Sequence, residues 1–170
     1  MNTEHKKLFR CTLLGILLVS VFGSLLHFAY GASGENFLVG LVSPVNESTW
    51  EHMKLLFFPM LLYLLLALPR LKSSWPCVVS ALPSGILAGA FLIPILFYTY
   101  SGVLGFHNLI LDIAVFLVST AAGFLIFYRR ALNCRSERYS LTLNLLLMII
   151  GGLFFLFTYF PPSIGLFVSP

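Results

Sequence analysis

The chain has 170 residues, of which 59% are hydrophobic and 9% are charged, and its formal net charge is +4. So few charged side chains cannot cover the surface of a soluble domain of this size, which excludes a soluble globular fold. The composition instead predicts an integral membrane protein without a separate soluble domain.

Five apolar stretches are long enough to cross a bilayer as helices, which takes about 20 residues each. In chain order they cover residues 8–30, 52–71, 77–98, 106–128 and 141–160. They predict an all-α integral membrane bundle of five transmembrane helices that forms one domain over residues 1–170. The first stretch is longer than the apolar core of a signal peptide, so we interpret it as a span; cleavage after it would leave four spans.

Basic residues flank the spans, and their distribution predicts the orientation of the bundle. With the N-terminus inside and the C-terminus outside, only Lys54 of the ten basic residues lies outside. The positive charge then reflects orientation and contact with anionic lipids of the inner leaflet, and no nucleic-acid binding is implied. The nine basic residues predicted to be cytoplasmic are Lys6, Lys7, Arg10, Arg70, Lys72, Arg129, Arg130, Arg135 and Arg138.

The three cysteines, Cys11, Cys77 and Cys134, all fall on the predicted cytoplasmic side. Because that compartment is reducing, the sequence predicts free thiols and no structural disulfide. A thiol oxidoreductase is also disfavoured, since the sequence has no Cys-x-x-Cys motif.

Small residues in the third and fourth spans predict close helix packing. Gly85 and Gly89 have the Gly-x-x-x-Gly spacing that lets helix backbones approach each other in a membrane. The run 119–123, Ser-Thr-Ala-Ala-Gly, forms a small-residue face on the fourth span.

A dense cluster of ionisable side chains, residues 46–54, leads directly into the second span. Ser48 and Glu51 have the spacing of a capping box for the second helix. Glu51 and Lys54 are three residues apart and are expected to form a local ion pair. We expect the ammonium group of Lys54 to extend to the membrane interface.

The helical rise of 1.5 Å per residue allows depth to be compared between helices, because the hydrocarbon layer is about 30 Å thick. Counted from the basic residues, His27, Glu51 with His52, and Asp112 come to one level near the external boundary, and His107 lies just outside it. Charge at this depth indicates a functional site.

Imidazole and carboxylate groups from separate helices are the ligands of a divalent metal such as zinc, and they also suit proton transfer. The sequence predicts His27, His52, His107 and Asp112 as metal ligands. The predicted catalytic residues are Glu51, Glu47, His52 and Asp112.

Three functions stay open at this point. The first is a hydrolase or transferase that acts on a lipid-like or membrane-embedded substrate through this site. The second is a small transporter, or a proton- or ion-coupled subunit, in which the same groups form a relay. The third is a non-catalytic assembly or sensor subunit, and a haem between two of the histidines is a further alternative.

The segment 44–59, which contains Asn46-Glu47-Ser48-Thr49-Trp50-Glu51-His52, resembles the signature of an uncharacterised family of small bacterial multi-pass membrane proteins. A polar loop before the segment and the apolar spans after it match the same plan over the whole chain. The resemblance implies a location in the bacterial plasma membrane and no particular activity.

Ser48 and His52 are also similar to the Ser-x-x-x-His element of the alkaline ceramidase and adiponectin-receptor superfamily of intramembrane zinc hydrolases. Asp112 would correspond to the aspartate that those proteins carry on a later helix. This superfamily has seven helices and a further histidine pair, which the last span here lacks. The resemblance therefore implies a zinc site completed by His27 or His107.

Overall fold

Six α-helices account for most of the chain in the computed structural model, which describes residues 3–134 and 137–169. The long helices are α1, Thr3–Ala32; α3, Thr49–Lys72; α4, Val78–Leu104; α5, Leu109–Asn133; and α6, Ser140–Tyr159. The short α2 spans Phe37–Gly40, and two single-turn 3-10 helices span Glu137–Tyr139 and Gly165–Phe167. Arg135, one of the predicted cytoplasmic residues, lies outside the described residues.

Five helices in the described part of the chain are long and apolar enough to cross a membrane. The predicted all-α fold with five membrane-compatible helices is therefore confirmed, with boundaries that shift by one to six residues at the helix ends. Many large apolar side chains on the outer helices stay exposed, such as Leu17 on α1 and Met148 on α6. These surfaces match a lipid environment, whereas the inside-outside orientation stays a prediction.

Successive long helices run in opposite directions, so the bundle has two chemically different ends. At the end that we call the basic end, the His5 and Trp75 rings lie 5.1 Å apart and Ser80 Oγ donates to Glu137 Oε2 at 2.8 Å. At the other end, which we call the histidine end, the end of α1 meets the start of α3.

Helix α4 lies at the centre of the bundle and contacts α3, α5 and α6. Its closest neighbour is α5, because glycines face each other across the contact. A Cβ atom added at Gly85 would lie 2.7 Å from the carbonyl oxygen of Gly123, and one at Gly123 would lie 2.9 Å from that of Gly85. The close packing predicted from these small residues is confirmed.

The prediction that no disulfide forms is wrong for two of the three cysteines. Cys77 precedes the first residue of α4 and Cys134 follows the last residue of α5, and the two are bonded with their Cα atoms 5.2 Å apart. The antiparallel α4–α5 pair brings these helix ends together although they are 57 residues apart in sequence. Cys11 is the free cysteine of the described chain.

Thiol counting tests this pairing directly. In denatured protein that has not been reduced, a maleimide reagent should label one thiol, Cys11, and after reduction it should label all three cysteines. Mass spectrometry of the labelled chain gives the count. The matched variant Cys77→Ser should show two labelled thiols without reduction, and three labels on unreduced wild-type protein would contradict the disulfide.

Candidate functional site

Three segments bring two imidazoles and one carboxylate together at the histidine end. His27 comes from the end of α1, His52 from the first turns of α3, and Glu47 from the loop before α3. The two Nε2 atoms lie 3.3 Å apart, and Glu47 Oε2 lies 3.5 Å from His27 Nε2 and 3.3 Å from His52 Nε2. We call these residues the His–Glu–His triad.

The start of α3 holds the triad in place through capping contacts. Ser48 is the N-cap residue and accepts a hydrogen bond from the Glu51 amide at 3.4 Å, while its own amide donates to Asn46 Oδ1 at 2.9 Å. These two bonds fix the turn that carries Glu47. The predicted cap at Ser48 is confirmed, but the Glu51 carboxylate does not complete a capping box, because it accepts from the Val45 amide instead.

The environment of His52 determines which ring nitrogen carries its proton. Its Nδ1 lies 2.9 Å from the Ser48 carbonyl oxygen, and a carbonyl can only accept a hydrogen bond. In the neutral ring, Nδ1 therefore holds the hydrogen. In that tautomer Nε2 carries the lone pair, and this atom faces His27 Nε2 and Glu47 Oε2.

The triad borders a cavity of about 320 Å³ between α1, α3, α4 and α5. The side chains of His27 and His52 are 31% and 29% exposed, and that of Glu47 is 65% exposed, so a ligand can reach all three. Apolar side chains form most of the remaining wall: Leu55, Ile93, Phe97, Leu109, Val115 and Phe116. The site thus combines a polar rim with an apolar interior.

A second group of polar residues reaches the same cavity through Asp112 and His107. The Tyr100 hydroxyl donates a hydrogen bond to Asp112 Oδ1, and His107 Nδ1 lies 3.6 Å from Asp112 Oδ2. Asn108, the N-cap residue of α5, accepts from the Ile110 amide at 2.8 Å and sets the start of the helix that carries Asp112. Tyrosine, aspartate and histidine thus form a connected group, of which Asp112 and His107 line the cavity of the triad.

Glu51 and Lys54 form a fully buried ion pair beside the triad. Lys54 Nζ donates to Glu51 Oε2 at 2.7 Å, to the Gly40 carbonyl at 3.1 Å and to the Thr158 hydroxyl. The predicted ion pair is confirmed. The prediction that Lys54 extends to the membrane interface is wrong, because α2 and α6 close over it and leave it 0% exposed.

Comparison with known proteins identifies the family of the chain. A family model described as "Family of unknown function (DUF6512)" matches residues 1–169. The chain belongs to this family. No curated protein and no solved structure matches it. The predicted membership of an uncharacterised family is confirmed, whereas the similarity to the zinc hydrolase superfamily stays a prediction.

The structure of this DUF6512 member divides the predicted site residues into three sets. His27, His52 and Glu47 come together in the triad, and Asp112 and His107 form a pair in the same cavity. Glu51 is not among the residues that line the cavity, since its carboxylate faces Lys54. Sequence reasoning missed Tyr100, whose available signal was its place at the end of α4, just before the turn that leads to Asp112.

Removing one partner of the buried pair should strongly destabilise the bundle. Lys54→Met leaves the Glu51 carboxylate buried without a counter-charge, which typically costs about 3–5 kcal/mol. Thermal unfolding of the protein in detergent should show a clear fall in the midpoint, whereas Lys72→Met, at the exposed end of the same helix, should change it little.

The double variant Glu51→Gln with Lys54→Met provides the internal control for charge. It removes both ions, so its unfolding midpoint should be higher than that of Lys54→Met alone. A single Lys54→Met variant that is as stable as the wild type would show that the pair does not hold the histidine end together.

Proposed function

We propose that this protein is a metal-dependent membrane hydrolase or transferase whose His–Glu–His triad binds a divalent ion such as zinc. The observation that carries the proposal is the convergence of three ligand atoms from three separate segments, with pairwise distances of 3.3, 3.5 and 3.3 Å. In this assignment Glu47 is a ligand, and Asp112 and His107 are left for acid-base chemistry.

The distances fit a tetrahedral zinc site. Zinc–nitrogen and zinc–oxygen bonds are about 2.0–2.1 Å long, and the edge of a tetrahedron is about 1.63 times that length, or roughly 3.3 Å. The separations within the triad match the three edges of one face. His52 Nδ1 donates a hydrogen bond to the Ser48 carbonyl. A metal-binding imidazole is commonly oriented by such a bond from its second ring nitrogen.

A site with three protein ligands supports catalysis better than a structural role. Structural zinc sites use four protein ligands, whereas catalytic sites keep one position open for water or substrate. A divalent ion in such a site activates water and polarises a carbonyl or phosphoryl oxygen. In this chain the triad borders the cavity, so an ion held by His27, Glu47 and His52 would supply this chemistry at the cavity wall, where a substrate would lie.

In this proposal Asp112 and His107, which line the same cavity, move protons there, and Tyr100 assists through its hydrogen bond to Asp112. We assign His107 as the general acid or base, with Asp112 orienting its ring, as carboxylates commonly do beside a catalytic histidine. The Tyr100 hydroxyl donates to the other carboxylate oxygen and holds Asp112 in place. This group is distinct from the triad, so proton transfer and metal binding have separate residues.

The apolar walls of the cavity favour a lipid-like substrate. Leu55, Phe97 and Phe116 line it, and the helices that carry them match a membrane environment. A substrate with an apolar chain and a polar linkage would place the chain against these walls and the linkage at the triad. With the predicted orientation, this site faces the outside of a bacterial plasma membrane.

Transport through the bundle finds less support. Between the two ends, the core is filled by large apolar side chains that are at most 1% exposed, among them Phe57, Met60, Leu64 and Phe124. A relay for protons or ions needs polar groups along its length. We therefore favour a reaction at one end of the bundle over passage through it.

Elemental analysis tests the metal site. Protein purified in detergent and dialysed against zinc should hold about one zinc ion per chain, and cobalt substitution should give the absorption bands of a four-coordinate ion. His52→Ala and Glu47→Gln should lose most of the metal. His5→Ala is the matched control, because its ring packs on Trp75 at the basic end. Wild-type protein that binds neither ion would contradict the proposal.

A second variant separates catalysis from metal binding. Asp112→Asn keeps the size of the side chain and leaves the triad untouched, so the zinc content should be unchanged. Hydrolysis of fluorescent ester and amide lipid analogues should fall by about 10²-fold or more, as expected when acid-base assistance is lost. Equal turnover by Asp112→Asn and wild-type protein would show that Asp112 has no part in the mechanism. If zinc-loaded wild-type protein turned over none of the analogues, the result would argue against a lipid hydrolase.

A further inference from the structure

A second cavity lies at the basic end, far along the helices from the triad. It has a volume of about 540 Å³ and opens between α4, α5 and the start of α6. Its polar wall contains Arg129, Arg130, Asn133 and Tyr139. Leu87 and Leu143 contribute apolar surface to the same cavity.

Among the described residues, no carboxylate pairs with the arginines of this cavity, Arg129 and Arg130. The carboxylate of Glu137 instead accepts a hydrogen bond from Ser80 Oγ at 2.8 Å. A third cation is close by, since the guanidinium of Arg138 lies 5.7 Å from the centre of the Tyr139 ring, which lines the cavity. The cavity therefore fits an anion.

We propose that this cavity binds a phosphate group, in particular the headgroup of an anionic phospholipid. Guanidinium groups form paired, charge-assisted hydrogen bonds with phosphate oxygens, and Arg129 and Arg130 place two of them on one wall. The amide of Asn133 and the hydroxyl of Tyr139 can donate to the same group. Helix α6 begins between Tyr139 and Leu143 without a side-chain cap, which adds the positive end of a helix dipole.

The apolar side of the cavity distinguishes a lipid from a free anion. Leu87 and Leu143 continue the wall toward the apolar middle of the bundle, so a bound headgroup would direct its acyl chains along α4 and α6. The basic residues mark the level of the headgroups at this end. A free phosphate would use the arginines alone.

The disulfide supports this site by fixing its most basic wall. Cys134 directly follows Asn133 and is bonded to Cys77 at the start of α4. The C-terminal end of α5, which carries Arg129 and Arg130, is thereby held against α4. A fixed wall loses less entropy when it binds a ligand.

Binding of short-chain lipids to the purified protein in neutral detergent tests the proposal. Dioctanoyl phosphatidic acid should bind and raise the unfolding temperature, whereas dioctanoyl phosphatidylcholine should bind more weakly by about tenfold, because its phosphate carries less charge and a bulky cation. The double variant Arg129→Gln with Arg130→Gln should weaken phosphatidic acid binding by about tenfold or more.

The double variant Arg70→Gln with Lys72→Gln is the matched control. It removes the same charge from the same end of the bundle, but from α3 and outside the cavity. Unchanged binding of phosphatidic acid in this control supports a specific site. An equal loss of binding in both double variants would overturn the proposal in favour of diffuse charge.

Inorganic phosphate is the second ligand. If it binds as tightly as phosphatidic acid, the cavity is a site for free phosphate, and if neither ligand binds, the proposal is refuted. The zinc content of the triad does not enter this measurement, so its outcome is independent of the proposed enzyme activity.

Discussion

The buried ammonium group of Lys54 determines how the histidine end is assembled. A charge within an apolar bundle requires partners that satisfy it, and these partners come from three different elements: the Gly40 carbonyl at the end of α2, Glu51 one turn earlier on α3, and Thr158 near the end of α6. Residues up to 104 positions apart in sequence thus meet at one nitrogen atom. The loop after α1, the start of α3 and the end of α6 are therefore fixed relative to one another by a single electrostatic requirement.

The triad depends on the same arrangement. Glu51 Oε2 accepts from Lys54 and also from the Val45 amide, which lies at the start of the turn that presents Glu47. The next residue, His52, is rotated by about 100° around the helix and faces the cavity. One turn of α3 thus carries a structural carboxylate on its buried side and a candidate ligand on its open side. The charged pair keeps the ligands close, while the ligands themselves remain accessible.

Depth could be predicted from the sequence, but direction around each helix could not. Span length and hydropathy located the five long helices, and the rise per residue brought His27, His52 and Asp112 to the same end. The depth estimated from the helical rise could not show that Glu51 is buried while His52 lines the cavity. Adjacent residues lie at nearly the same depth but point in different directions around the helix axis. The same estimate also could not foresee that α2, a helix of four residues, covers Lys54. Tyr100 escaped notice because aromatic residues near span ends are common at membrane interfaces.

The disulfide illustrates a different limit of sequence rules, since it depends on proximity that composition does not contain. The expectation of free thiols rested on the compartment alone, whereas the antiparallel α4–α5 pair brings Cys77 and Cys134 to a Cα distance of 5.2 Å. That helix pair is already closed by Gly85 and Gly123, whose backbones leave no room for a side chain. The cross-link therefore adds to a contact that packing has formed, and its local effect falls on the last turn of α5. Glycine contacts and a buried ion pair stabilise the bundle, while the disulfide fixes the α5 wall of the cavity at the basic end.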